Sequence, residues 1–237
     1  VLTTVVGGEN RNYLAIPRDL FYAAEWLVPP DAGIRFPGEV VGWFGAAEAQ
    51  ERRRTVQPYE QVRVAWEGAP LPQEGDRLLV VRSSRTERGL GTVIRPTGML
   101  RVDEVSGEAV VATATNEYHR LRMEDRVLPA PPFPLEPGLH PTRSDDDLTA
   151  RILAFAEPRP LQQLGDVAFL DIGRADGVQV GDEFVVDVGS GGGWSPRTVG
   201  RVQVVRAFEE VSSARIVELE GPVFVAGTEV RRARRMP

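Results

Sequence analysis

The stretch Pro129–Pro141 reads P-A-P-P-F-P-L-E-P-G-L-H-P, with proline at six of its thirteen positions. Proline fixes φ and removes a backbone donor, so neither a helix nor a central strand can run through it. An extended, stiff connector between two folded units is expected there. The 237 residues suit that division, being enough for one large domain or two ordinary ones.

On either side of the connector the chain repeats itself. Glu74–Val81 (E-G-D-R-L-L-V-V) parallels Val180–Asp187 (V-G-D-E-F-V-V-D), with Gly75/Gly181, Asp76/Asp182 and Val80/Val186 identical. Gln61–Trp66 is set against Asp166–Asp171, Leu90–Val93 against Val199–Val202, and Asp125–Leu128 against Thr228–Arg231. The order is preserved while the offset drifts only by loop-sized amounts, the pattern that duplication of one domain leaves.

Periodicity says what kind of domain is duplicated. In Glu183–Val188, Phe184, Val186 and Val188 alternate with Glu183, Val185 and Asp187, the two-residue period of a half-buried strand. Arg151–Phe155, Val167–Ile172, Gly200–Arg206 and Ser213–Leu219 are likewise short and bounded by Gly, Pro, Asp or Ser. Helical stripes are confined to Leu20–Leu27 and Ala46–Arg53. The expected architecture is all-β: two tandem small antiparallel barrels or sandwiches, 37–128 and 148–237. A connector at 129–147 and an aromatic-rich, extended or short helical arm at 1–36 complete it. Closing each sheet removes exposed strand edges. Asp176-Gly177 supplies turn residues that the first half lacks at Leu71-Pro72-Gln73, so that loop should differ in shape.

The turn and strand motifs carry a resemblance. Gly165–Val186 followed by Val199–Val217 resembles the β-rich C-terminal region of bacterial LysM-containing, peptidoglycan-binding envelope proteins. Phe21–Leu27, Arg95–Gly98 and Arg234–Pro237 extend that likeness. The D-G-V-x-x-G-D turn, the following G-R-x-x-V and the late A-R-I-V strand are also similar to the C-terminal domain of the flagellar assembly protein T family. The resemblance implies an exported protein of the periplasm or cell surface. Its partners would be other envelope proteins or copies of itself. No LysM module lies between Val1 and Pro237, so peptidoglycan would be reached through a module outside this chain.

Composition narrows the chemistry. With 28 Lys+Arg against 34 Asp+Glu, the formal charge of −6 argues against a nucleic-acid partner. All the basic residues are arginine. The lack of cysteine removes thiol catalysis and Cys-based zinc sites. No run of about 18 apolar residues marks a transmembrane segment. His119 and His140 lie outside any hydrolase motif, and Asp171–Asp176 fails the calcium-loop pattern, with Gly173 and Ala175 where ligands belong. The acidic run Ser144–Asp147 reads as a helix N-cap or solvated turn, and Gly189–Pro196 as a glycine-rich hairpin tip. No catalytic, cofactor or metal residue is assigned.

Candidate interaction residues are the arm aromatics Tyr13, Phe21, Tyr22 and Trp26; the clusters Arg52, Arg53, Arg54 and Arg231, Arg232, Arg234, Arg235; and Trp194 on the glycine-rich loop. Free aromatics at the arm's density would form a sticky patch, so packing on a barrel is the leading expectation for them. The expected function is a non-enzymatic envelope structural or assembly module. The alternative is a subunit of a larger periplasmic or surface machine or filament, flagellar-ring-like or fibrous. A wall-polymer hydrolase comes third, with no carboxylate pair in the sequence to support it.

Overall fold

The computed structural model describes residues 13–45, 53–85, 89–107, 109–189 and 197–237. The chain forms two compact units, one spanning Tyr22–Pro132, the other joining Phe133–Pro237 to the segment that ends at Phe21. The chain passes between them twice, at Phe21–Tyr22 and at Pro132–Phe133. The expected single arm and single connector are thus each divided between the units.

In the first unit, β1 (Trp26–Val28), β2 (Gly38–Trp43), β3 (Gln61–Trp66), β4 (Arg77–Arg85), β5 (Thr92–Ser106), β6 (Ala109–Glu117) and β7 (Arg126–Pro129) form one antiparallel sheet. Its order β5-β4-β7-β2-β3-β6 closes through β5–β6, and β1 adds outside on β5. In the second unit the strands are β8 (Thr142–Arg143), β9 (Thr149–Phe155), β10 (Val167–Leu170), β11 (Glu183–Val188), β12 (Arg197–Ala207), β13 (Ser212–Leu219) and β14 (Glu229–Arg235). The order β12-β11-β14-β9-β10-β13 closes through β12–β13, with β8 outside on β14. Strand for strand, the two closed rings are the same.

Among the described residues, six turns of one design hold these rings, three in each barrel. The first residue's N–H donates to the side chain three positions on: Gln57 to Glu60 at 2.8 Å, Gln73 to Asp76 at 2.8 Å and Arg122 to Asp125 at 2.9 Å. In the second barrel Gln163 donates to Asp166 at 2.8 Å, Gln179 to Asp182 at 3.1 Å and Val225 to the Thr228 hydroxyl at 3.1 Å. The third residue of each has positive φ: Tyr59 (70°), Gly75 (89°), Glu124 (69°), Gly165 (95°), Gly181 (99°) and Gly227 (93°). Its N–H donates to a carbonyl on a neighbouring strand, that of Ala114, Val102, Val40, Ile216, Val204 and Ile152 respectively. Each of those six residues donates its own N–H back to the turn's fourth carbonyl. Left-handed backbone costs a non-glycine residue about 1–2 kcal/mol. Gly227→Ala should therefore lose about that much in urea unfolding, although a Cβ there meets nothing within 4 Å. Tyr59→Gly should lose nothing; equal losses in both variants would remove backbone strain as the cause.

The turns also correct the repeat alignment. Glu60, not Gln61, is the equivalent of Asp166, a one-residue slip that would put every side chain of the strand on the wrong face. Val199–Val202 corresponds to Thr97–Leu100 rather than Leu90–Val93, because Gly98 pairs with Val80 as Gly200 pairs with Val186. Both glycines are required by close approach. A Cβ on Gly98 would lie 2.7 Å from the Asn116 carbonyl oxygen and 2.8 Å from Leu121 Cδ1, and one on Gly200 2.7 Å from Phe224 Cζ. The greater length of β5 hid that match from the sequence.

Each barrel is filled by its own side chains. Val40, Val64, Leu78, Val80, Leu100 and Val127 lead the first core; Ile152, Leu170, Phe184, Val202, Ile216 and Val230 lead the second. The alternation in β11 holds at Phe184 and Val186 but breaks at Val188, which is 46% exposed. A register shift between Val186 and Asp187 lifts it out of the core. Val185, expected on the outer face, is also buried.

The helical stripe at Leu20–Leu27 is half right. Arg18–Ala23 forms α1, started by Pro17, which suits a helix N-terminus. Trp26–Val28 then leaves helical geometry to pair with Ile94, Val93 and Thr92. The Ala46–Arg53 stripe lies outside the described residues except at Arg53. Leu71-Pro72-Gln73 and the segment around Asp176-Gly177 do differ in shape, the latter containing a 3-10 turn at Arg174–Asp176.

Candidate functional site

The arm aromatics are packing groups. Tyr13 stacks on His140 with ring centroids 3.9 Å apart. Phe21 is buried edge-on to Phe133, with the Arg206 guanidinium over its ring. Tyr22, in the first unit, donates its hydroxyl to the Pro131 carbonyl at 3.1 Å and lies under Arg77. Trp26 is buried beside β5. The proline stretch is therefore clamped from both ends by aromatics of the arm, each within its own unit.

Just before β1, Glu25 is buried with Arg95 Nε at 3.3 Å and His119 Nε2 at 3.6 Å. Burial would raise its pKa, but its hydrogen bonds and its electrostatic interactions with Arg95 and His119 outweigh that and hold it below the usual carboxylate range.

The arginine clusters divide by role. Arg53 bonds Glu60 at 2.5 Å and covers Trp43, while exposed Arg54 pairs with Glu124 at 3.1 Å. Arg52 and Trp194 lie outside the described residues. In the tail cluster, a register shift where β14 meets β11 passes over Ala233. Arg232 turns inward and Arg231, Arg234 and Arg235 stay exposed.

Arg232 is a structural lock. Its Nε and Nη2 donate to the two oxygens of Asp146, and its Nη1 to the Gly177 carbonyl at 3.0 Å and to Asp182 at 3.3 Å. Asp182 is fully buried and also accepts the Met236 N–H at 2.7 Å. Burial pushes the Asp182 carboxyl up despite these donors, whereas the Arg232 hydrogen bonds bring Asp146 down to about 2. The acidic run is thus no helix cap: Asp145 and Asp147 are solvated, as a turn would have them, while Asp146 ties the segment after β8 to β14. The sequence offered no signal for this, because Asp146 and Arg232 are 86 positions apart.

On the outer wall of the second barrel, Arg143, Arg201, Arg231 and Arg234 line a cleft of about 310 Å³ with Ser144, Val185, Thr198 and Ala233. Arg201 bonds Glu183 at 2.8 Å and approaches Glu218 at 3.1 Å, while Arg231 bonds Asp187 at 2.6 Å. Arg201 and Arg231 flank Val185 in register, and aliphatic stems so placed account for its burial on an outward position.

A second kind of surface occurs in both barrels, on the connection between the first two ring strands. In the first barrel Phe44 is 45% and Tyr59 82% exposed; in the second Leu161 is 64% and Leu164 63% exposed. The Phe44 N–H donates to Gln61 at 3.2 Å, which sets Phe44 beside the turn that carries Tyr59. Leu164 occupies the corresponding turn, one residue before Gly165.

Asp176 serves a turn, accepting the Gly173 N–H, whereas Asp171 accepts the N–H of Arg151 on the neighbouring strand β9. Among the described residues no group of three or more His, Asp or Glu is placed to hold a metal ion, and no helix is long and apolar enough to cross a membrane. No protein-family model matches the chain, and no curated protein matches it.

Proposed function

We propose that this chain is a non-enzymatic structural and assembly module of a bacterial envelope protein, acting by protein–protein recognition in the periplasm or at the cell surface. The observation that carries this reading is the repeated exposed apolar tip, Phe44 and Tyr59 on one barrel and Leu161 and Leu164 on the other. Large apolar side chains on a loop set by a rigid ring are the kind of group that anchors a partner, and Tyr is enriched among such anchors. Ring closure leaves loops and outer walls as the recognition surfaces. The partner is an envelope protein, and attachment to peptidoglycan belongs to a LysM-type module outside this chain.

A photo-crosslinker placed at Tyr59 or Leu164 of the full chain tests this. Exposed to an envelope extract, it should join one discrete protein. The double substitutions Phe44→Ser/Tyr59→Ser and Leu161→Ser/Leu164→Ser should each weaken capture at their own tip and leave melting within about 0.5 kcal/mol of the parent. Absence of any discrete adduct, with a monomeric native mass, would defeat the proposal. Fragment release from purified sacculi, abolished by one carboxylate substitution, would replace it with a hydrolase.

A further inference from the structure

We propose that Arg143 and Arg234 form a seat for a phosphate-class oxyanion on the outer wall of the second barrel. The two residues are directly opposite in the β14–β8 register. Side chains so placed have Cβ atoms about 4.5–5.5 Å apart, and like charges there repel. Neither guanidinium donates a hydrogen bond among the described residues. Arg143 has one ion pair, to Asp145 at 4.0 Å, and Arg234 has one, to Glu183 at 3.8 Å. Asp145 is 97% exposed, so water screens what it contributes.

Across the cleft the contrast is sharp. Arg201 and Arg231 are engaged by carboxylates at hydrogen-bond distance, which fixes them as the wall. The two forks, each with only a long ion pair and no hydrogen bond among the described residues, are brought together by an outer strand of two residues, β8, which the Asp146–Arg232 lock fastens to the barrel. A half-buried ion pair thus holds two cations side by side, and an anion between them relieves the repulsion.

The geometry selects the anion. Each guanidinium presents paired N–H donors suited to two oxygens of one group. A carboxylate has a single edge of two oxygens and satisfies one fork. A tetrahedral phosphate has further edges and can meet both.

The test uses the full chain titrated with inorganic phosphate, with acetate at matched ionic strength as control. A second arm uses phosphatidylcholine vesicles with and without phosphatidylglycerol. Phosphate should saturate a rise in Tm of the wild type. Arg143→Ser/Arg234→Ser should weaken that binding by about tenfold or more, while the equal-charge control Arg151→Ser/Arg174→Ser leaves it unchanged. Arg143→Glu should raise Tm in phosphate-free buffer, since it replaces a like-charge pair with an opposite one, and abolish the phosphate response. Co-sedimentation that needs phosphatidylglycerol and both arginines assigns the phosphate to a lipid headgroup; a response to phosphate without co-sedimentation assigns it to a free ion. Acetate matching phosphate, the control variant losing as much, or a lower Tm for Arg143→Glu without phosphate would each overturn the proposal.

Discussion

Arg232→Met should destabilise the second barrel by about 3–5 kcal/mol at pH 7, the range for removing one partner of a buried ion pair. The loss falls on Asp182, fully buried, which would keep two backbone donors and no cation. Asp146 would lose both of its guanidinium bonds, freeing the segment that carries β8. The pH dependence has a definite sign. Asp146 is held near 2, below its unfolded value of about 3.9, so its contribution is present above that unfolded value and lost as pH falls toward 2. In the variant that acid-sensitive contribution disappears. Asp182 has a raised pKa already, and without Arg232 it rises further. A group raised in the folded state takes up its proton there first, so the variant recovers relative to wild type as pH falls. Urea unfolding at pH 7, 5 and 4 should show the gap narrowing. A gap under about 1 kcal/mol at pH 7, or one that does not change with pH, would mean the lock carries little stability.

Phe184→Ala should cost about 3–5 kcal/mol, the loss expected when a buried aromatic leaves a cavity its neighbours cannot fill. Phe184 is fully buried at the centre of the second core. Its equivalent in the first barrel is Leu78, also buried, where Leu78→Ala should cost about 2–5 kcal/mol. Val188→Ala, four residues along the same strand but 46% exposed, should stay within about 0.5 kcal/mol of the parent. Calorimetry of the three variants separates core burial from strand propensity. A Val188→Ala loss as large as that of Phe184→Ala would contradict the register shift that lifts Val188 outward.

The all-β architecture and the duplication were legible because both live in local pattern. Two-residue alternation identified the bounds of β11 to the residue, and two matches gave the correct offset, Gly75-Asp76 against Gly181-Asp182 and Asp125–Leu128 against Thr228–Arg231. The other four turns were hidden. Their side-chain acceptors are Glu60, Asp125, Asp166 and Thr228, and two of their positive-φ positions hold Tyr59 and Glu124 instead of glycine. Identity of backbone geometry without identity of residue type leaves little for a sequence comparison to match. The arm was read correctly as a packed aromatic segment, yet nothing in residues 13–28 says that the packing partner changes between Phe21 and Tyr22.

By itself, then, the sequence determined the short-range facts: strand period, the turns where glycine and aspartate coincide, the proline stretch that no regular element can cross, and the segregation of arginine into clusters. These depend on φ, on donor count and on side chains within a few positions of each other. Tertiary structure alone decided which arginines have partners. Arg232 became a lock because ring closure brings β14 to the segment after β8, and Arg143 met Arg234 because β8 pairs in the register it does. A charge acquires its role from what lies across the sheet, and the separation of 86 positions between Asp146 and Arg232 is bridged by strand pairing rather than by anything either residue encodes.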